Sequence, residues 1–224
     1  MIVMESSIGN TASKIKDYLA QNNLGKYEDE EKEQIFKEFS EKFSLEFLKS
    51  LSGKDLLYNM FMDNKSLSSL CYHLEYNKEY SKISGGIKGG SITKYPLYVS
   101  SETNQWTTGQ RNNSTSLYEE EAIDIATKIR DAVVEGAEYI ESKKTELKSI
   151  EDYVNLGKEL KNIFENCNAK STYAWVHKYY VLLFPDIFPR IHNEKMKRDM
   201  LKKFNIVPLT DYYAKDGQLS LLSR

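Results

Sequence analysis

The chain is short of cysteine, of excess charge of either sign, and of long apolar runs, and each shortage removes a class of protein. Two cysteines, Cys71 and Cys167, occur in 224 residues, too few for a disulfide scaffold. The longest apolar stretch, YYVLLF at Tyr179 to Phe184, is far too short to span a bilayer, so no membrane partner is expected. The opening MIVMESSIGN has no basic segment followed by an apolar one. No secretory signal is therefore expected, and the reducing cytoplasm is the default compartment. The formal net charge is −2, whereas a dedicated nucleic-acid domain is often strongly basic. A nucleic-acid partner would need a local basic face. No internal repeat and no low-complexity linker interrupts the pattern.

What is present reads as a soluble globular protein, with 40% hydrophobic and 29% charged residues, long enough for one large domain or two small ones. Tyrosine is frequent, at 16 copies. Its apolar ring and hydrogen-bonding tip suit cores, wet interfaces and base stacking alike.

Helical spacing dominates. Thr11 to Asn22 places Ile15, Tyr18 and Leu19 on one face. Ile35, Phe36, Phe39, Phe43, Phe47 and Leu48 recur three and four apart, which predicts one amphipathic helix with an acidic start at Glu28 to Glu31. Ser52 and Asp55 predict a cap for a short helix over Gly53 to Met62. SLCYHLEYN, Ser69 to Asn77, is ambiguous between helix and strand. YPLYVS and QWTTG read as two strands of a hairpin joined by Ser-Glu-Thr-Asn, with Pro96 at a strand start or edge. A long helix is expected from about Ser116 to Ser142, with Ser116 and Glu119 as capping signature and Ala122, Ile125, Ala126, Ile129, Val133, Ala137 and Ile140 as buried stripe. Ser149 caps a helix reaching about Asn166, another runs from Thr172 to Phe184, and Asn193 caps a basic one to Phe204. The expected fold class is α+β: a helix-rich domain with a small antiparallel sheet inserted near the middle.

The glycines cluster in SGGIKGGSITKYPLYVSSETNQWTTG, Ser84 to Gly109. A nucleotide P-loop needs lysine and a hydroxyl directly after its last glycine, and a helix after that. Here Ser91 follows Gly90 and a strand comes next, so ATP and GTP binding by this loop are excluded. A dinucleotide fingerprint fails for want of a strand–loop–helix frame, and no cofactor is expected. The loop keeps free backbone N–H groups and the cations Lys82, Lys88 and Lys94, a combination able to hold a nucleic-acid phosphate. Beside it, strict alternation puts Tyr95, Leu97 and Val99 on one strand face and Pro96 and Tyr98 on the other. An aromatic left on the open face, Tyr95, Tyr98 or Trp106, can stack on a base. A second basic stretch, Arg190 to Lys203, carries Lys195, Lys197, Arg198, Lys202 and Lys203 and can lie on a phosphate backbone.

Catalytic patterns are incomplete. Cys71-x-His73 and Cys167…His177 do not match zinc spacing, and no metal site is expected. No nucleophile triad is evident. PDIFPRIHNEKMK nearly supplies the carboxylate pattern of a metal-dependent nuclease through Pro185, Asp186 and Glu194, but Met196 stands where a lysine is needed. Glu159-Leu160-Lys161 lies in a helical pattern rather than on a strand. Converging carboxylates are what the metal requires, so no catalytic residue is assigned.

Five stretches in order, SLSGKDLLYNMF, LCYHLEYNKEY, GGIKGGSITKYPLYVSSETNQWTTG, EEEAIDIATKIRDAVVEGAEYI and WVHKYYVLLFPDIFP, together resemble the region ahead of the motor in McrB-like proteins of bacterial defence, over roughly Leu51 to Val207. The resemblance implies a DNA-recognition domain, often for modified DNA, ahead of an AAA+ GTPase that works with an McrC-like nuclease subunit. The chain has no Walker motif and no room for that motor, so the likeness is to the recognition part alone. On this footing residues 1–50 are expected to be an N-terminal helical region, 51–207 the recognition domain, and 208–224 a segment leading to a motor beyond the chain. The ending GQLSLLSR reads as part of a helix, as in a truncated chain. The loop and the turn to Arg111 would meet phosphates. Tyr95, Tyr98 or Trp106 would contact a base, with flipped and methylated bases included, and Gln105, Gln110 and Asn112 would read its edge. The Trp106 ring itself leans toward a core plug, leaving Gln105, Thr107 and Arg111 to face the ligand. No catalysis is expected of the chain by itself. The alternatives are an assembly module built on the acidic, Phe-rich helix at Glu28 to Leu51, and a metal-dependent nuclease.

Overall fold

The computed structural model describes residues 2–21, 29–61, 67–87, 95–110 and 113–223. Helices α1 (Ile2–Gln21), α2 (Asp29–Lys42), α3 (Leu45–Ser50), α4 (Gly53–Met60), α5 (Leu70–Tyr76) and α6 (Lys78–Ser84) precede a small sheet. Its strands are β1 (Leu97–Val99), β2 (Trp106–Gln110) and β3 (Asn113–Ser116). Helices α7 (Glu119–Lys143), α8 (Ile150–Ile163), α9 (Ala174–Leu183), α10 (Glu194–Lys203) and α11 (Tyr212–Ser223) follow. The fold is therefore helix-rich α+β, with a three-stranded antiparallel sheet in the order β1-β2-β3. Among the described residues no helix is long and apolar enough to cross a membrane.

Local chemistry sets the element ends. The Phe-rich helix is two helices, because Ser44 adopts extended backbone and its side chain accepts from Phe47 N, which starts α3 afresh. The three-and-four spacing survives the break, so Ile35, Phe36, Phe39, Phe43 and Leu48 are all buried. Ser52 flanks α4 without making the expected side-chain cap. The ambiguous stretch is α5, whose Ser69 side chain accepts from Tyr72 N and whose Leu70, Cys71 and Leu74 face inward. Asn113–Ser116 forms β3, so the long helix starts later than Ser116. It begins at Glu119, where the Glu121 carboxylate accepts from Tyr118 N–H at 2.8 Å. Ser149 and Asn193 cap α8 and α10 as their positions predict.

Helix α7 is the bar against which α3, α4, α8, β1 and β2 pack. Ala122, Ala126, Ile129, Val133, Ala137 and Ile140 are buried along it; each larger aliphatic of that stripe contributes roughly 1.5–3 kcal/mol. The main core runs without a break across residue 50, from Ile35 to Tyr213. A second apolar cluster, with Ile8, Ile150, Leu201 and Leu222, joins α1, α8, α10 and α11.

The abundance of tyrosine has a structural use. Buried rings finish on backbone carbonyls: Tyr95 on Cys71, Tyr153 on Ile187, Tyr179 on Phe43, Tyr180 on Val133 and Tyr213 on Ser171, at 2.6–3.2 Å. A buried hydroxyl without such an acceptor would carry a desolvation cost of about 1–3 kcal/mol. These tyrosines thus add ring area to the core while giving carbonyls of other segments a donor.

Candidate nucleic-acid interface

The Gly-rich segment begins at the end of α6. Asn77 opens that helix by accepting from Glu79 N and Tyr80 N. Gly85 closes it with φ +74°, a conformation that glycine adopts without steric cost. Two short helices, α5 and α6, end near one another here, and each end presents carbonyls with no intrahelical donor. Lys178 of α9 serves both: its Nζ donates to Leu74 O and to Gly85 O, each at 2.8 Å. Its ammonium also suits the negative ends of two helix dipoles. Burial lowers the Lys178 pKa to about 8, opposed by the Glu75 carboxylate. His192, ahead of α10, is also buried. Burial first, and then the neighbouring Lys178 and His177, push the His192 pKa down to about 4, so the ring is neutral.

At the far end, Tyr95 is buried and its hydroxyl donates to Cys71 O at 3.0 Å. Ile87 is likewise buried. Both ends of the segment are thereby pinned to the core. The segment's own candidates Lys88, Ser91 and Lys94 lie outside the described residues, as do Arg111 and Asn112. Gln110 belongs to β2 through its backbone.

The sheet corrects the expected aromatic platform. Leu97 pairs with Thr108, Tyr98 with Thr107 and Val99 with Trp106. Strand β1 is buried on both faces. Tyr95, Tyr98 and Trp106 are 1%, 5% and 7% exposed, so none offers a ring face to a base. Alternation failed as a guide because it presumes one wet face. Thr107 is also buried, and its Oγ1 donates to Gln105 O; it does not face a ligand. Gln105 is exposed beside the Ser100–Asn104 turn, where Asn104 has φ +54°. The strand β3 is exposed along its length and forms the outer edge of the sheet.

The rings left open near this sheet are Tyr58 and Tyr118, which the sequence did not single out. Tyr58, 40% exposed, sits 6.1 Å from the Trp106 ring. Tyr118, 79% exposed, follows Leu117, whose N–H bonds Trp106 O. Tyr118's position at a helix start carried no periodic signal. Lys54 and Glu119, 2.9 Å apart, tie α4, which bears Tyr58, to the start of α7 just after Tyr118.

The lysines divide into two kinds. Lys82 is exposed but ion-paired with Glu31 and Glu79. On α10, Lys195 pairs with Asp199 on the surface, and Arg198, Lys202 and Lys203 are exposed. Lys197 does not belong to that face. It is fully buried, 2.5 Å from Asp216 Oδ1 and 3.7 Å above the Tyr212 ring centroid. Asp216 Oδ2 lies 3.0 Å from His177 Nε2. Burial lowers the His177 pKa, further aided by Lys197, whose Nζ also lies 3.2 Å from Nε2. Burial pushes the Asp216 carboxyl up, but Lys197 and His177 outweigh it and hold the group below its ordinary value.

Asp186 and Glu194, the carboxylates of the nuclease-like pattern, stand in a turn and at the start of α10, and Glu194 pairs with Lys215 at 3.4 Å. Glu159 and Lys161 lie in α8. Among the described residues no group of three or more His, Cys, Asp or Glu is placed to hold a metal ion. No family model, curated protein or solved structure matches the chain.

Proposed function

We propose that the chain is a DNA-recognition domain of the McrB-like kind, without catalysis of its own. Lys88 and Lys94, with the backbone N–H groups around them, meet phosphates, and the sheet side reads a base, methylated bases included. Exposed Gln105 and the open rings of Tyr58 and Tyr118 are the groups available to that base; stacking on an open aromatic is worth about 1–3 kcal/mol per base. In this reading a motor domain beyond the chain recruits an McrC-like nuclease subunit, and the setting is the cytoplasm.

One observation carries the reading. A stretch with glycines, hydroxyls and two lysines but no acid, Gly85 to Lys94, is pinned at one end by Lys178 on Gly85 O and at the other by Tyr95 on Cys71 O. A loop of phosphate-binding composition fixed on a rigid scaffold is how folds present binding groups. The acidic balance of the whole chain is compatible with this, because the segment itself carries two lysines and no acid.

The deciding measurement is a titration of the chain against unmodified, 5-methylcytosine and N6-methyladenine duplexes at two salt concentrations. Salt-sensitive binding, tighter for one modified duplex, is expected. Absence of duplex binding together with salt-insensitive self-association would replace the reading with an assembly module. Magnesium-dependent cleavage would replace it with a nuclease.

A further inference from the structure

We infer that the exposed face of α10 is a further contact to the duplex, where Arg198, Lys202 and Lys203 meet backbone phosphates without reading sequence. This rests on the DNA-recognition reading but not on the Gly-rich segment.

The helix itself sorts its charges. Lys197 and Leu201 are buried, and Met200 and Phe204 pack on the second apolar cluster. At 3.6 residues per turn, Lys195, Arg198, Asp199, Lys202 and Lys203 are left on the outer side, all exposed. Cations therefore outnumber acids on this face, in a chain whose formal net charge is −2. Its single acid is already matched, because Lys195 Nζ lies 2.9 Å from Asp199 Oδ2. The Asp199 carboxyl is held below its ordinary value by that hydrogen bond and by the positive field of Lys195, Lys202 and Arg198. Among the described residues Arg198, Lys202 and Lys203 have no ion-pair partner. Lys202 and Lys203 stand in the last turn, where a cation also complements the helix dipole. Arg198 stands mid-helix, where the dipole gives no reason for an unpaired cation.

The opposite side of α10 is fixed to the scaffold. Asn193 opens the helix by accepting from Met196 N at 3.0 Å. Buried Lys197 lies 2.5 Å from Asp216, and Glu194 lies 3.4 Å from Lys215, both partners being on α11. The outer cations are thus carried on a held element, with Arg198 and Lys202 about 6 Å apart along its axis. A phosphate backbone matches such a row: it is a line of anions, it needs no pocket, and a guanidinium can take a phosphate through two parallel hydrogen bonds. A lipid surface would require the apolar side of the helix to enter the headgroup region. Here that side is buried in the cluster that α10 shares with α1, α8 and α11.

The test compares Arg198→Gln/Lys202→Gln/Lys203→Gln with Lys128→Gln/Lys143→Gln/Lys144→Gln, which removes the same charge from α7 and its end. Arg198→Gln/Lys202→Gln is the second variant should the first fold poorly; melting temperature reports folding in each. All are titrated with unmodified and 5-methylcytosine duplexes at several salt concentrations. The α10 variant should lose affinity about ten-fold for both duplexes alike, and its plot of log affinity against log salt should be shallower by about 2.7, at about 0.9 for each phosphate contact. The α7 variant should match the native chain. Unchanged affinity and slope in a folded α10 variant overturn the inference and leave the DNA-recognition reading standing. An equal loss in the α7 variant also overturns it, by assigning the effect to net charge, as does a loss confined to the modified duplex. Retained duplex binding with lost binding to phosphatidylserine vesicles or to polyglutamate would give the face to a lipid surface or an acidic polypeptide instead. A native chain that binds no duplex overturns the reading and the inference together.

Discussion

The Lys197 ammonium lies 2.5 Å from an Asp216 carboxylate oxygen, and neither side chain is exposed. With His177 on the other carboxylate oxygen and the Tyr212 ring beneath the ammonium, the group joins α9, α10 and α11. Removing one member leaves the other charge buried and uncompensated. Asp216→Asn should therefore cost about 3–5 kcal/mol of stability, whereas the double change Lys197→Met with Asp216→Leu should cost much less. Urea denaturation of the two variants and the native chain checks this; a single mutant as stable as the native chain would show that the pair is not coupled in solution.

Acid should destabilise the fold well above the range where exposed carboxylates titrate. His192 is held near 4 in the fold, against about 6.5 for an unfolded histidine. Between these values the unfolded chain binds the proton and the folded chain does not, so stability falls as pH drops from about 6.5 to about 4, by roughly 3 kcal/mol. His177, also lowered by burial, adds to the same loss beginning near 6.5. Melting temperature followed across this range should decline, and His192→Leu should flatten part of the decline.

Trp106 and Tyr118 separate core from contact. Trp106 is buried against Tyr58, so Trp106→Ala should cost about 3–5 kcal/mol of stability. Tyr118 is exposed, so Tyr118→Ala should leave melting unchanged and weaken DNA binding by about 1–3 kcal/mol if a base stacks there. Thermal melting and duplex titration of the two variants give opposite patterns under this assignment. Loss of melting temperature in Tyr118→Ala would contradict it.

Charge reversal in the segment should act on all duplexes alike. Lys88→Glu with Lys94→Glu should weaken binding uniformly and lower the salt slope by about two, since phosphate contacts carry no sequence information. A change confined to modified duplexes would move these lysines from backbone to base recognition.

Helix packing supplies a prediction independent of function. A Cβ on Gly157 would stand 2.6 Å from Tyr213 Cδ2, where α8 meets α11. Gly157→Ala should cost about 1–3 kcal/mol through overpacking, measured by the denaturation midpoint.

Much of the helical scaffold was legible because burial follows a 3.6-residue period: the Ile35 to Leu48 and Ala122 to Ile140 stripes are where their spacing put them. The caps at Ser149 and Asn193 were legible because their partners are three residues away. The failures have long-range causes. β3 was missed because a strand of Asn, Ser and Thr has no apolar face to show alternation. Lys197 was placed on a basic surface because its partner Asp216 is distant in sequence. Lys178 did leave a trace: it stands in AWVHKYYVLL, a helix apolar nearly all round, which has no wet side to take a lysine. A charge in such a helix must find its partners inside the protein. The rings of Tyr95, Tyr98 and Trp106 could not be told from a platform by sequence, since cover on the second face of β1 comes from elsewhere in the chain.

The pinning of both segment ends also bears on how this protein can change. Ile87 and Tyr95, on either side of residues 88–94, are both buried. Lengthening that stretch costs little, about 0.6 kcal/mol for each doubling of loop length. In the proposed reading, a lineage can rewrite these residues while Lys178, on Gly85 O, and Tyr95, on Cys71 O, keep their hold on the two ends. If the segment binds DNA as proposed, such an arrangement lets binding preference diverge while both anchors stay in place.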